Sequence, residues 1–206
     1  MQWFNQLRVT TRLIAGFLVV SVIGAIIGLL GVVNMGRMTE WTGKIYNSDL
    51  QALKAVQDGN INLVYASRAQ IALLSASTMG ERATEREQIE KSLSTLETRL
   101  KSTKSSFTQP EGQALFKQYE TLLPPFRERM QKYVELIGKQ PLDTSQFESI
   151  VFTESAELLK DSRALEDLLL KMVKRRDERA KANMDESTSV YNHSRVLMLA
   201  LVLGGL

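Results

Sequence analysis

LIAGFLVVSVIGAIIGLLGVV, residues 13–33, holds no charged side chain over 21 positions. At about 1.5 Å per helical residue, such a run covers roughly the 30 Å of a bilayer's hydrocarbon core. It reads as a membrane helix, residues 13–35, preceded by a short segment, residues 1–12, that carries Arg8 and Arg12. A signal peptide is the main competitor, since two arginines precede an apolar stretch. The run is too long for the apolar region of a leader, and no small-residue cleavage site follows it. At the other end, VLMLALVLGGL, residues 196–206, is apolar over 11 residues and reads as the start of a second membrane helix cut short by the end of the chain. Between the two lie 160 residues, 36–195, with charges throughout and no further membrane-length run. They are expected to form one water-exposed domain held between two membrane helices. Arg37 and Lys44 after the first span balance Arg8 and Arg12 before it, so the count of positive charge does not set the orientation.

Composition narrows the function. A net charge of +3, with no basic patch interleaved with aromatics, gives no reason to expect a nucleic-acid partner. The chain has no cysteine and one histidine, His193, so there is no disulfide framework and almost nothing from which to build a metal or haem site. No cofactor and no metal are expected. Gly-rich phosphate loops, nucleophile elbows and metal-ligand spacings are absent from the sequence, and no residue recommends itself for catalysis.

Within the 160 residues, helix signals dominate: there is no sustained period-two alternation and no Asn-Gly or Asp-Gly turn. Three breaks are legible. Thr78 and Glu81 have the spacing of a capping box, Thr108 and Glu111 repeat it across Pro110, and Asp143 and Gln146 offer a looser version after Gly138 and Pro141. Three turns give four helices, predicted at about 35–76, 82–104, 111–138 and 144–195. The expected fold is therefore all-α, an up-down-up-down four-helix bundle flanked by transmembrane helices, with the turns near Gly80 and Pro141 far from the membrane and the Pro110 turn nearer to it. Pro124 and Pro125 fall inside the third helix and predict a kink there.

Heptad stripes then mark exceptions. Leu122, Phe126, Tyr133 and Leu136 form a stripe in the third helix with Arg129 inside it, and Ile61, Val64 and Ile71 form one in the first helix whose missing member is Arg68. Both arginines are expected in the core, where a guanidinium needs a carboxylate. The fourth-helix stripe, Phe147, Val151, Leu158, Leu165, Leu168 and Met172, is interrupted by Glu154 and Asp161, which offer internal partners such as Arg68 with Glu154. The competing reading is that the arginines clamp a small carboxylate bidentately, with Asn60, Tyr65, Tyr133 and Thr153 completing the site. A second stripe, Leu53, Val56, Asn60, Leu63, Ser67, Gln70 and Leu74, is polar at three positions, as a wet interface between subunits would be. The basic run of Lys174, Arg175, Arg176, Arg179 and Lys181 reads as a solvated face, as do Glu85, Glu87 and Glu90. His193 is expected at the membrane interface.

The opening Leu7-Arg-Val-Thr-Thr-Arg-Leu-Ile-Ala-Gly-Phe17, followed by a membrane span and a four-helix pattern, resembles the start of bacterial methyl-accepting chemotaxis receptors with a four-helix-bundle sensor. The resemblance implies a multi-pass protein of the inner membrane with a cytoplasmic N-terminus and a periplasmic sensor domain. It also implies a homo-oligomer, a dimer whose formation can depend on ligand, and a cytoplasmic part acting on a histidine kinase through a coupling protein. In the aspartate-type sensors of that family, first-helix arginines and a fourth-helix threonine hold the ligand across the dimer interface. Arg68 and Thr153 match those positions, while the other arginine positions hold different residues, which counts against aspartate itself. The expected ligand is a di- or tricarboxylate or an acidic amino acid. The same sensor layout also precedes transmitter kinases and cyclic-dinucleotide enzymes, and a non-sensory membrane tether would have the same helices.

Overall fold

Each of the three breaks is a turn in the computed structural model, which describes residues 8–205. Leu7 of the opening motif, the rest of residues 1–7 and Leu206 lie outside the described residues. The elements are α1, Val9–Lys44; a π-helical turn, Ile45–Leu50; α2, Gln51–Ser75; α3, Met79–Thr103; α4, Pro110–Lys139; and α5, Ser149–Gly205. Short 3-10 turns occupy Lys104–Ser106 and Thr144–Gln146. Among the described residues there is no strand, and the all-α expectation is borne out. α1 is long and apolar enough to cross a membrane. The chain divides into two compact units, Asn47–Ala180 and the described part of Met1–Tyr46 with Lys181–Leu206.

The local chemistry of the turns follows the sequence unevenly. At the first, the Thr78 hydroxyl accepts from the Glu81 N–H at 3.1 Å, and the Glu81 carboxylate reaches back to the Ser77 N–H at 2.6 Å. The box forms with its return arm one residue early. At the second it does not form: Gln109 holds the cap position without a side-chain bond, Pro110 takes the first turn, where a missing N–H costs nothing, and the Thr108 hydroxyl accepts instead from Arg179 at 3.0 Å. At the third, Asp143 caps the 3-10 turn through the Ser145 N–H at 2.9 Å, so α5 begins at Ser149 rather than Thr144. The long first helix predicted from Met35 is likewise divided by the π-helical turn. α4 runs unbroken as helix through Pro124 and Pro125.

The core of the unit Asn47–Ala180 is built from one stripe per helix. Val56, Leu63 and Leu73 of α2, Leu93, Leu96 and Leu100 of α3, Phe126, Met130 and Ile137 of α4, and Val151, Leu158, Leu165 and Met172 of α5 are all buried. Gly59 lets α2 and α3 approach closely: a Cβ there would meet Leu100 Cδ2 at 2.4 Å.

Buried arginines fasten both ends of this bundle. Arg82 on α3 donates to the carbonyls of Ile137 at 3.0 Å, Gln140 at 2.7 Å and Pro141 at 2.5 Å, and lies over the Phe147 ring. It thus satisfies the carbonyls that a helix end leaves without donors. At the opposite end, Arg176 of α5 stacks on Phe107 of the α3–α4 turn with its guanidinium 4.0 Å from the ring centroid. Its Nη1 lies 3.5 Å from the Asp49 carboxylate, which also takes Arg179 Nε at 3.3 Å. Turns α2–α3 and α4–α5 therefore share one end and turn α3–α4 the other, as an up-down-up-down bundle requires. The reading of the basic run as a solvated face is corrected at Arg176, whose residue is only 2% exposed, because the flat aromatic surface of Phe107 and the Asp49 charge replace solvent around it.

Candidate functional site

The helix registers decide where each proposed ligand residue sits. Arg68 is exposed on α2, together with Ile61, Tyr65 and Ile71, each close to half exposed. The expectation that this stripe faces the core is corrected. α2 instead turns inward the stripe Val56, Leu63, Gln70, which is richer in polar residues but is the one closed over by three other helices. The reading of that polar stripe as a wet intersubunit face falls with it. Two of its three polar members pair inside the bundle: the Ser67 and Ser162 hydroxyls lie 2.5 Å apart, and Gln70 Nε2 donates to Ser155 Oγ at 2.8 Å. Thus Ser155 and Ser162, not Glu154 and Asp161, are the polar residues that α5 buries opposite this stripe.

Arg129 lies at the edge of α4, not in the core, and donates to Asp161 at 2.5 Å. Of the internal ion pairs the stripes offered, this one forms; Arg68 with Glu154 does not, since neither has an ion pair among the described residues. Arg129, Tyr133 and Glu154 line one groove of about 560 Å³. Tyr133 is itself buried. Its hydroxyl lies beside Gln70 and Ser155 without a well-aligned bond, and burial raises its pKa against the lowering effect of those two neighbours. Thr153 is exposed, its hydroxyl turned back to the Ser149 carbonyl at 3.3 Å. The Asn60 side-chain oxygen is buried without a partner. The six residues therefore fall into separate places: Tyr65 and Arg68 on the outer face of α2, Arg129 and Tyr133 at the α4 groove, and Asn60 and Thr153 away from either. Of the six, Arg129 and Tyr133 share a groove.

Among the described residues no group of His, Asp and Glu is placed to hold a metal ion. Between α3 and α4, Arg127 of α4 donates to Glu97 and Glu90 of α3. These bonds, the one to Glu97 foremost, raise its pKa and fix it as a strut.

A family model described as a four helix bundle sensory module for signal transduction matches residues 6–191, nearly the whole chain. The chain belongs to this family, the sensory module of methyl-accepting chemotaxis proteins. Among curated proteins none matches it in sequence. The sensory module is not a catalytic domain, so the carboxylates and arginines of the bundle belong to a receiver of signals. The matched span takes in α2, α3 and α4 whole and α5 as far as Tyr191. Sequence reasoning missed Arg82 and Asp49 and misplaced Arg176, the charged residues found buried among the described residues. A signal for Arg82 existed: it follows the Thr78 box in the first turn of its helix, opposite the predicted end of the third.

Proposed function

We propose that the unit Asn47–Ala180 is the input of a transmembrane chemoreceptor, facing the periplasm from the inner membrane, and that it binds a di- or tricarboxylate or an acidic amino acid on the outer face of α2. One observation carries this reading: Arg68 is exposed and has no ion pair among the described residues, beside Ile61, Tyr65 and Ile71, which are apolar or aromatic and also exposed. The monomer gains nothing from leaving those side chains in water. A two-fold pairing of the stripe with its own copy covers them and brings two Arg68 guanidiniums toward each other. Like charges facing across such an interface oppose dimerisation until an anion bridges them, so ligand and dimer stabilise each other. Arg68 supplies the bidentate clamp and Tyr65 a neutral hydrogen bond. Arg129 joins such a site only by exchanging Asp161 for the ligand, Asn60 and Tyr133 belong to the bundle behind it, and exposed Thr153 takes no part. The occupied sensor then acts on a coupling protein and histidine kinase through the cytoplasmic part of the receptor.

The test uses the full chain in lipid nanodiscs, with thermal unfolding and oligomeric state followed against succinate, citrate and glutamate. A binder raises the unfolding temperature by mass action and shifts the population toward dimer. Arg68→Ala removes both effects and leaves the unliganded unfolding temperature where it was. Arg129→Ala lowers the unliganded temperature instead. A ligand response that survives Arg68→Ala overturns the assignment to α2.

A further inference from the structure

α1 passes into α2 through a single π-helical turn, Ile45–Leu50, with α-helix on either side. Such a turn carries one residue more than α geometry needs, and single π turns inside α-helices are frequent at functional sites. No proline or glycine lies in this one, so its composition does not impose it. Among its described side chains Asp49 alone is buried, at 1% exposure. The surplus residue and the buried carboxylate thus occupy the same turn.

Asp49 ties that turn to α5. Its carboxylate lies 3.5 Å from Arg176 Nη1 and 3.3 Å from Arg179 Nε. Charge-assisted hydrogen bonds close at about 2.7 to 2.9 Å, so both guanidiniums stand roughly half an ångström too far out. None of the three Arg176 nitrogens has an aligned hydrogen bond, although the residue is only 2% exposed. A buried ion pair offsets its lost hydration only when its geometry is good, and this one falls short by a distance that a small movement supplies or takes away. Arg176 has room for that movement: it lies flat on Phe107, 4.0 Å from the ring centroid, a contact that covers a guanidinium without fixing its place along the face. Helix shifts of roughly 1 to 2 Å are a common switching mode. A shift of α5 of that size exceeds the gap, so it closes the Asp49 contacts or breaks them.

We propose that the turn Ile45–Leu50 is a register clutch, latched by Asp49 to Arg176 and Arg179, through which movement of α5 changes the register of α1 on α2. With the latch made, the pull on Asp49 keeps the turn wide and its surplus residue in place. With the latch broken, the turn reverts to α geometry with every residue retained, which rotates the chain on one side by about 100° and carries it about 1.5 Å further along the axis. The buried stripe of α2 begins at Ala52 and Val56, directly after the turn, so α2 stays and α1 rotates. The clutch rests on the sensor reading of the bundle but not on the Arg68 site, since any ligand that displaces α5 engages it. It gives the bundle a second output, α1, beside α5 itself.

The chain has no cysteine, so introduced pairs take spin labels without background. Thr39→Cys and Glu40→Cys, exposed positions of α1 about 100° apart, are each paired with Gln57→Cys on α2, while Lys54→Cys with Ser75→Cys reports on α2 alone. Distances are read by pulsed electron paramagnetic resonance on the full chain in nanodiscs. Asp49→Ala with Arg176→Met removes the latch without stranding a buried charge. It should move at least one α1–α2 distance by several ångströms and leave the α2 distance alone. Arg179→Ala, at a partly exposed position, weakens the latch and should show old and new distances side by side; should the double variant not fold, Arg179→Ala decides by itself. Deleting Tyr46, an exposed residue of the turn, removes the surplus and so should keep the wild-type distances and hold them when the latch variants are added. Wild-type distances alone in the latch variants, new distances that persist after Tyr46 is deleted, or loss of the helical fold on that deletion overturns the proposal.

Discussion

Arg82 shows how a charge becomes a structural part without a counter-charge. Three backbone carbonyls at the end of α4 and its turn accept from one guanidinium, and the Phe147 face covers it. Arg82→Met keeps the stem and deletes the fork, taking that donor from the Gln140 and Pro141 carbonyls, while Ile137 keeps the Gln140 N–H. The bundle should lose about 2 to 4 kcal/mol in urea unfolding, and Arg82→Lys should recover less than half, because a point charge cannot serve three divergent acceptors. Heptad counting could not place this residue, since it lies in the first turn of α3, where the stripe has barely begun. The same method misplaced Arg68. Ile61, Val64 and Ile71 satisfy an apolar spacing, but so does the neighbouring stripe through Val56, Leu63 and Leu73, and only the surrounding helices choose between them. Periodicity finds stripes; it does not say which one a partner covers.

The elements were more legible than their residues. Turns at Thr78, Pro110 and Asp143 are where capping chemistry and proline placed them, because those signals act within one turn of backbone and need no tertiary information. Two identical-looking boxes nevertheless behave differently. Thr78→Ala should cost about 1 kcal/mol in thermal or urea unfolding, as loss of an N-cap does. Thr108→Ala, whose hydroxyl accepts from Arg179 at an exposed site instead of capping α4, should change stability by less than about 0.5 kcal/mol. Equal effects of the two substitutions would contradict the observed hydrogen bonds. The π-helical turn at Ile45–Leu50 had no legible signal, since no proline or glycine marks it and its composition is ordinary.

For the molecule, the order of helices was readable and the ligand site was not. Four helices with three short connections admit few arrangements, whereas a site shared between copies leaves no trace in the periodicity of one chain. α5 carries the consequence for signalling, since it runs as a single helix from Ser149 to Gly205 and so belongs to both compact units. We expect Ala182→Pro to leave ligand-induced stabilisation of the bundle intact and to uncouple the output of the full receptor, because a proline breaks that helix locally at a cost of about 3 kcal/mol. Ligand-dependent kinase control that persists in the proline variant would contradict transmission along α5. How far α5 can move is a question of what it rubs against. Its contacts with α2 at Ser67, Gln70, Ser155 and Ser162 are hydroxyls and an amide in place of interlocked leucines. Hydroxyls rotate and re-pair within a shift of one or two ångströms, while branched side chains must climb out of one hole before entering the next. Where α2 and α5 meet through these four residues, sliding therefore faces lower barriers than at the leucine layers beside them.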